Sequence, residues 1–569
     1  MITAMLKKLK GVLWLLPGFL LWASFPPMGE RMDVFFALAP LLWLSRGGDA
    51  RLSAKRYLAN GAVFWTATLS WMPAIIKNGG PWPLVVLGWG ALSAYCALYF
   101  AAFGYLSAVY WRWVRSDRPE SDMSGPKPYV FRLAGLLVVE PVLWAGLELV
   151  RSRLLGGFSW NQLGVAPVNA GLASPAALGG VYFASMVVVL VNGTLASIAE
   201  RVAAQLPRRR IERPREWRAY PRLLRPLETL LPFAAAWLIC VAGKSAAPDM
   251  AASSGEAPLR VALVQRNFPS VFERSAGAGT DATQTYRRLF SAVAHARPDL
   301  AVLPESALCE AGEIGSPGAG AFASWALEAA GAKSLLAGGS RVEDGRMYNS
   351  AALYSKGADL SSARIYDKNH LVPFGEYIPG DKTFPALQAL APVGSCTPGS
   401  ISVLDLPGGA KLGVAICFED TDSAHVRRLV EKGATLLAFI TNDNWFSRSA
   451  EAEQHSWQAV ARAVETGVSV VRCGNSGVTG VIPPDGSANW LRDEDGRPLV
   501  DAPAAMCEAV YAAKPSRNTA YVRFGDKPLA AAFALVLAAI CFLVTKDVKR
   551  LLARLRFLKE KDGCQGISE

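Results

Sequence analysis

Charge is scarce in this chain. Of 569 residues, 19% are Asp, Glu, Lys or Arg, while 51% are hydrophobic. A soluble domain carries nearer a quarter charged residues, so a purely water-soluble chain is excluded. Histidine is scarcer, at four, with none in an HExxH pattern, which leaves no basis for a zinc hydrolase. The nine cysteines include no CxxC pair. Their odd number and irregular spacing argue against a disulfide framework or a zinc site, and no metal or other cofactor is expected. Acidic residues are outnumbered 47 to 59, for a net charge of +12. The basic residues flank apolar runs and build no aromatic-interleaved patch, so nucleic acid is not an expected partner.

What is present is a set of apolar runs. Spans are predicted near 11–27, 33–46, 57–76, 84–112, 131–151, 177–198 and 227–243, with one more near 527–545. Most approach the roughly 20 residues that cross a bilayer. The first run follows Lys7, Lys8 and Lys10 but lacks a small-residue cleavage site, so it is read as an anchor. Basic residues fill alternate connections: Arg46 to Arg56, Arg112 to Arg132, the nine arginines from Arg201 to Arg225, and Lys546 to Arg556. By the positive-inside rule both termini are cytoplasmic and residues 246–526 face outward, which in a Gram-negative cell is the periplasm. The same basic runs also suit contact with solvent or lipid headgroups. No paired charges are evident within the spans, which argues against an ion-coupled transporter; Glu140 and Glu148 are the features that reading would use.

The expected organisation is a transmembrane bundle of seven helices over 1–245, a linker at 246–257, an outward catalytic domain at 258–520, a final span at 521–546 and a basic cytoplasmic tail at 547–569. The outward segment alternates strand-like runs, at 260–265, 300–304, 334–338, 412–416, 435–440 and 469–472, with helix-like runs at 283–296 and 321–330. Such alternation predicts sheets covered by helices.

Three polar groups stand at ends of apolar strands: Glu305 in Leu-Pro-Glu-Ser, Lys368 in Tyr-Asp-Lys-Asn-His, and Cys417 in Val-Ala-Ile-Cys-Phe-Glu-Asp. Strand ends are where α/β folds place chemistry. Singly each has a plain structural reading: a core thiol, a solvated lysine, a helix-start glutamate. In this order and with these flanks they resemble the nitrilase, or carbon–nitrogen hydrolase, superfamily over roughly 258–520. Longer strings, Tyr366 to Pro379, Thr441-Asn-Asp-Asn-Trp-Phe446, Gln454-His455 and Asn475-Ser-Gly-Val-Thr479, resemble the apolipoprotein N-acyltransferases, as do Gly157-Phe-Ser-Trp160 and Gln162-Leu-Gly164 in the bundle.

The resemblance implies an α-β-β-α sandwich on a bundle of about eight transmembrane helices, in the bacterial inner membrane. It implies Cys417 as nucleophile, Glu305 as proton acceptor and Lys368 as oxyanion stabiliser, with the Phe418 backbone N–H beside it. A neighbouring cation is expected to lower the thiol pKa, leaving the histidines without a catalytic part. Glu376 and Glu419 are implied supports, the first orienting Lys368 or Glu305, the second holding the loop after Cys417. Substrate-binding candidates are Trp160, Trp445 and Tyr377. The weakly charged stretch Tyr377–Pro392, with Ile378, Phe384, Leu387 and Leu390, reads equally as a lid dipping into lipid and as core. Phe418 departs from the family's frequent Tyr, and Asn444 and Ser447 from its Ala and Gly.

The implied reaction moves an acyl chain from a phospholipid, through a cysteine thioester, to the N-terminal α-amine of a diacylglyceryl apolipoprotein. Each CH₂ drawn into water costs about 0.8 kcal/mol, so such substrates call for a membrane-seated enzyme. Nothing demands an oligomer, and a monomer is expected. The alternatives are a membrane-tethered amidase for a small C–N substrate, and a transporter or lipid-binding scaffold with an inactive hydrolase-like domain.

Overall fold

In the computed structural model the described residues are 13–115, 127–203, 226–246, 257–268, 282–359, 362–381, 383–385, 395–446, 448–514, 518–543 and 545. The basic tail, most of the linker, Lys7 to Lys10, Arg208 to Arg225, Leu387, Leu390 and Ser447 lie outside them.

The first part is helical: α1 (Leu16–Ala23), α2 (Val34–Ala37), α3 (Ala39–Arg46), α4 (Ala50–Thr68), α5 (Trp82–Arg115), α6 (Tyr129–Arg151), α7 (Ala176–Ala203) and α8 (Leu227–Ala246). Among the described residues four helices, α5 to α8, are long and apolar enough to cross a membrane. The run predicted at 33–46 is broken at Leu38. Pro40 starts the second piece, and the buried Asn192 of α7 mends the break by accepting from Leu38 N–H and Ala39 N–H, each at 2.9 Å. Irregular backbone at membrane depth needs such a partner. The run predicted at 57–76 also shifts. The Asp49 carboxylate caps the N–H groups of Arg51 and Leu52, so α4 begins in the basic segment and ends at Thr68.

The expected absence of paired charges in the bundle is corrected by the structure. Arg46 is buried, and its guanidinium meets the equally buried Glu140 at 2.5 Å. Ser107 and Trp111 also donate to Glu140, and Arg46 donates to the Gly193 carbonyl and Ser197. The pairing was hidden because 94 residues separate the partners and Arg46 reads as a loop charge. Removing one member of a buried pair strands the other, at about 3–5 kcal/mol. Glu140→Ala is therefore expected to lower the thermal midpoint of the detergent-solubilised protein steeply.

The second part holds two six-stranded sheets, in orders β12-β1-β2-β3-β4-β5 and β11-β10-β9-β8-β7-β6. Strands β1 (Leu259–Gln265), β2 (Leu300–Val302) and β3 (Ser334–Glu343) run parallel; β4 (Arg346–Ser355), β5 (Arg364–Asp367) and β12 (Ala504–Val510) add antiparallel edges. In the other sheet β7 (Lys411–Ile416), β8 (Leu436–Asn442) and β9 (Val470–Asn475) are parallel, flanked by β6 (Val403–Asp405), β10 (Gly480–Ile482) and β11 (Asn489–Trp490). Alternate residues of a strand face opposite ways. Val261 and Leu263 of β1 accordingly share a core with Leu412, Val414 and Phe439 of the other sheet. Ala262 and Val264 pack instead against α9 (Ala282–Ala294) and α10 (Pro317–Ala329). Helices α11 (Ser423–Glu431) and α12 (Glu451–Thr466) lie with the second sheet, and an apolar helix α13 (Lys527–Leu543) follows.

The two parts meet along α12. The Gln454 side chain accepts from the indole N–H of Trp71 and of Trp160, at 3.1 and 2.8 Å, and donates to the Pro26 carbonyl at 2.8 Å. Asn169 donates to the Trp457 carbonyl, Val181 N–H to Glu465, and Arg153 pairs with Asp422 and Asp526. The connections after α1, α4 and α6 thus all reach the sheet domain, and the buried Arg46–Glu140 pair lies in none of them.

Candidate active site

Each polar group sits where a strand runs out. β2 ends at Val302, and Glu305 follows three residues later. Its turn is pressed against β3: a Cβ on Gly338 would come within 2.7 Å of the Glu305 Cα and 2.9 Å of the Pro304 carbonyl oxygen. Both are backbone atoms and cannot swing aside. Gly338→Ala is expected to displace Glu305 and cut turnover about a hundredfold, the usual effect of a misplacement near 1 Å; a kcat within twofold of the parent would count against this.

β5 ends at Asp367, and Lys368 N–H prolongs the ladder by one bond to the Asn349 carbonyl, at 2.8 Å. β7 ends at Ile416, and Cys417 takes φ +53° before a 3₁₀ turn. That left-handed backbone is uncommon for a side-chain-bearing residue and is strain held by the surrounding fold.

The structure brings the three together. The Lys368 ammonium lies 3.8 Å from Glu305 and 2.9 Å from Glu376, and is 1% exposed. Asn349 donates to Glu305 at 2.7 Å and to Glu376 at 2.6 Å, spanning both carboxylates. Asn442 N–H, at the end of β8, donates to the other Glu305 oxygen at 2.9 Å. Val372 N–H holds the second Glu376 oxygen at 2.8 Å. Cys417 keeps some exposure, and its thiol interacts electrostatically with both Glu305 and Lys368.

Glu419 is fully buried and ties two loops. Its carboxylate accepts from Asn369 N–H and His370 N–H beside Lys368, from Ile416 N–H beside Cys417, and from the Tyr366 hydroxyl. It therefore fixes the lysine loop against the cysteine turn, a wider task than holding the loop after Cys417. The Phe418 ring stacks on Phe158 of the bundle, with centroids 6.3 Å apart. Trp160, expected to face substrate, is buried, with its N–H taken by Gln454; it braces α12. Trp445 is 42% exposed, and its carbonyl accepts from Asn78 of the bundle. Tyr377 is half-buried, Ile378 is buried and Phe384 is exposed. The Asn444 side chain bonds the Phe268 carbonyl at 3.3 Å.

Protonation follows from this geometry. Burial alone would depress the Lys368 ammonium, but Glu376, Cys417 and Glu305 outweigh it and hold the charge. Burial raises Glu305, with Lys368 resisting. Burial works against the Glu376 carboxylate too, yet Lys368 and its hydrogen bonds hold it below the usual range. Burial and the Glu305 carboxylate push the Cys417 thiol up to about 12, against Lys368 and His455. The neighbouring cation does act to lower the thiol pKa, but Lys368 and His455 together do not repay the desolvation and the Glu305 charge, so the net shift is upward. The thiol rests protonated beside a carboxylate of raised basicity. That arrangement suits proton transfer concerted with attack. Asn349, Asn442 and His455 were not singled out for this site from the sequence. Asn442 and His455 lay inside the quoted strings, whereas Asn349, mid-strand in β4, gave no signal.

The sheet domain with this strand-end site is of the carbon–nitrogen hydrolase class, whose family pattern matches residues 260–524. Residues 17–194 match the apolipoprotein N-acyltransferase N-terminal domain. The chain belongs to the apolipoprotein N-acyltransferase family. It is 31% identical over 540 residues to the apolipoprotein N-acyltransferase of Geobacter metallireducens, covering 93% of this chain and 94% of that one. It is 28% identical over 487 residues to that of Photobacterium profundum, covering 81% and 83%. Among solved structures, an amidase from Nesterenkonia sp. superposes with a TM-score of 0.32 at 17% identity, over 46% of this chain and 93% of that one.

Proposed function

We propose that this protein transfers a fatty acyl chain from a membrane phospholipid to the N-terminal α-amine of diacylglyceryl-cysteine apolipoproteins, through a thioester on Cys417. Glu305 takes the thiol proton as sulfur attacks the ester carbonyl, and Lys368 with the Phe418 N–H steadies the oxyanion. Glu305 returns the proton to the departing lysophospholipid oxygen. The acceptor amine then attacks the thioester and gives its own proton to Glu305, a ping-pong sequence.

The observation that carries this reading is the joining of a Cys–Glu–Lys site to the bundle through Phe418 on Phe158. Diacyl substrates can meet the sulfur there without leaving hydrocarbon. Partly exposed Trp445, half-buried Tyr377 and exposed Phe384 suit the rim of a lipid entrance. The proposed organisation keeps the transmembrane bundle over 1–245, the catalytic domain over 258–520 as an α-β-β-α sandwich facing the periplasm, and a last span near 521–546. Eight spans then leave both termini cytoplasmic in the inner membrane, and the enzyme acts as a monomer.

Intact-mass analysis of the full chain after incubation with phospholipid tests this. A fatty-acyl mass on the peptide containing Cys417, discharged by an apolipoprotein amine, is the expected result. A discharged adduct on another residue, or turnover of a small amide without lipid, would replace this reading.

A further inference from the structure

One histidine is built into the site in a way that the acyl-transfer chemistry above does not use. His455 lies in the first half of α12 and is 1% exposed. Its Nε2 lies 2.8 Å from Asp420 Oδ1 and its Nδ1 3.1 Å from Asp443 Oδ1. A ring that meets a carboxylate at both nitrogens carries a hydrogen on both, and so a positive charge. Asp420 belongs to the 3₁₀ turn opened by Cys417. Asp443 directly follows Asn442, whose N–H holds the Glu305 carboxylate. The ring therefore clamps the nucleophile's turn to the loop that positions the base.

We infer that His455, as a buried imidazolium, is a positioning residue of this reaction that sets the Cys417 turn against the Glu305-holding loop. The inference rests on Cys417 as the nucleophile.

Other charges around the clamp support the assignment. Glu451 lies 3.5 Å from His455 Nδ1. Arg472 approaches Asp443 at 3.5 Å and Asp420 at 3.9 Å. Asp443, Glu451 and His455 offer donor atoms close enough for a metal ion. Yet both ring nitrogens already face carboxylates, and Arg472 supplies a second cation. Two aspartates then balance His455 and Arg472, with Glu451 pushed up to about 7 by burial and by Asp443. Burial opposes the charge on His455, but Asp420 and Asp443 hold it well above its ordinary range. Among the charges that act on the Cys417 sulfur, Glu305 and Asp443 oppose the thiolate, and Lys368 and His455 favour it. His455 is thus among the cations that favour ionisation there.

The test uses the full chain in detergent. Iodoacetamide alkylation of Cys417, read by peptide mass against pH, reports thiolate formation without any acyl donor. In His455→Gln alkylation at a fixed pH below the limb is expected to slow about tenfold, the loss of thiolate that a shift of one pH unit gives. Acyl-adduct formation from phospholipid should fall in kcat with KM little changed. Asp420→Asn, which weakens the clamp from the other side, should shift the limb the same way. Because the chain has four histidines, ¹³Cε1-histidine spectra of the unmodified protein should hold one signal at the imidazolium position above the ordinary histidine range. An alkylation limb unmoved in both variants, or four histidine signals that all deprotonate normally, would overturn the inference. Failure of Cys417 to carry an acyl adduct would instead strike the proposed function, since alkylation reads the sulfur alone.

Discussion

Cys417→Ala protein is expected to take up no acyl mass from phospholipid and to mature no diacyl acceptor, a loss on the order of 10⁶-fold where the nucleophile of a coupled triad is removed. Cys417 lies at the left-handed turn after β7, within the electrostatic reach of both Glu305 and Lys368. Cys396 also feels Glu376, Lys368 and Glu305, but its backbone is tied by its N–H to the Glu376 carbonyl and not to the turn after β7. Cys417→Ser should be almost as inactive. A hydroxyl ionises far less readily than a thiol, and Glu305 has one ammonium to help it at 3.8 Å. Both variants should keep the parent's thermal midpoint within a few degrees, because the residue packs at the edge of the core. Acyl transfer by either variant in proteoliposomes, above a lipid-only blank, would end the assignment.

Glu376→Gln is expected to cost about 10²- to 10³-fold in kcat, with acyl-enzyme formation the slowed step. This is the scale seen when one preorganised electrostatic group is removed. The site holds two carboxylates and one ammonium, and Lys368 lies nearer Glu376 than Glu305, at 2.9 against 3.8 Å. Glu376 thus absorbs much of the lysine's charge and leaves Glu305 basic. With an amide at 376, Lys368 and Asn349 turn wholly toward Glu305 and stabilise its ionised form. A more acidic Glu305 is a poorer acceptor for a thiol pushed up to about 12. The acidic limb of the pH–rate profile should therefore move to lower pH while the plateau drops. A lowered plateau with an unmoved limb would mean that Glu376 only supports the loop.

The sequence disclosed the residues whose surroundings are local. Glu305, Lys368 and Cys417 each follow a short apolar strand, and the runs around 260, 300, 412 and 436 became strands within one or two residues. Where partners lie far apart, nothing in the chain announced them. Asn349 looks like a surface residue in a polar stretch until β4 pairs with β3 and β5 and sets it between two carboxylates. β12 went unpredicted because its partner β1 stands some 250 residues earlier in the chain. Helix ends moved where a side chain decided them, as Asp49 does for α4. The direction of the Cys417 ionisation was missed because desolvation depends on packing from several elements at once.

The burial of α12 bears on how this enzyme can be handled. Between Glu451 and Thr466 nearly every side chain is buried, and Trp457 belongs to the apolar core of the bundle. Cut free from its helices, the sheet domain would present that surface to water together with Gln454 stripped of its two indoles. Catalysis and membrane embedding are thus one folding unit, and a truncated, water-soluble version for screening inhibitors should aggregate rather than turn over.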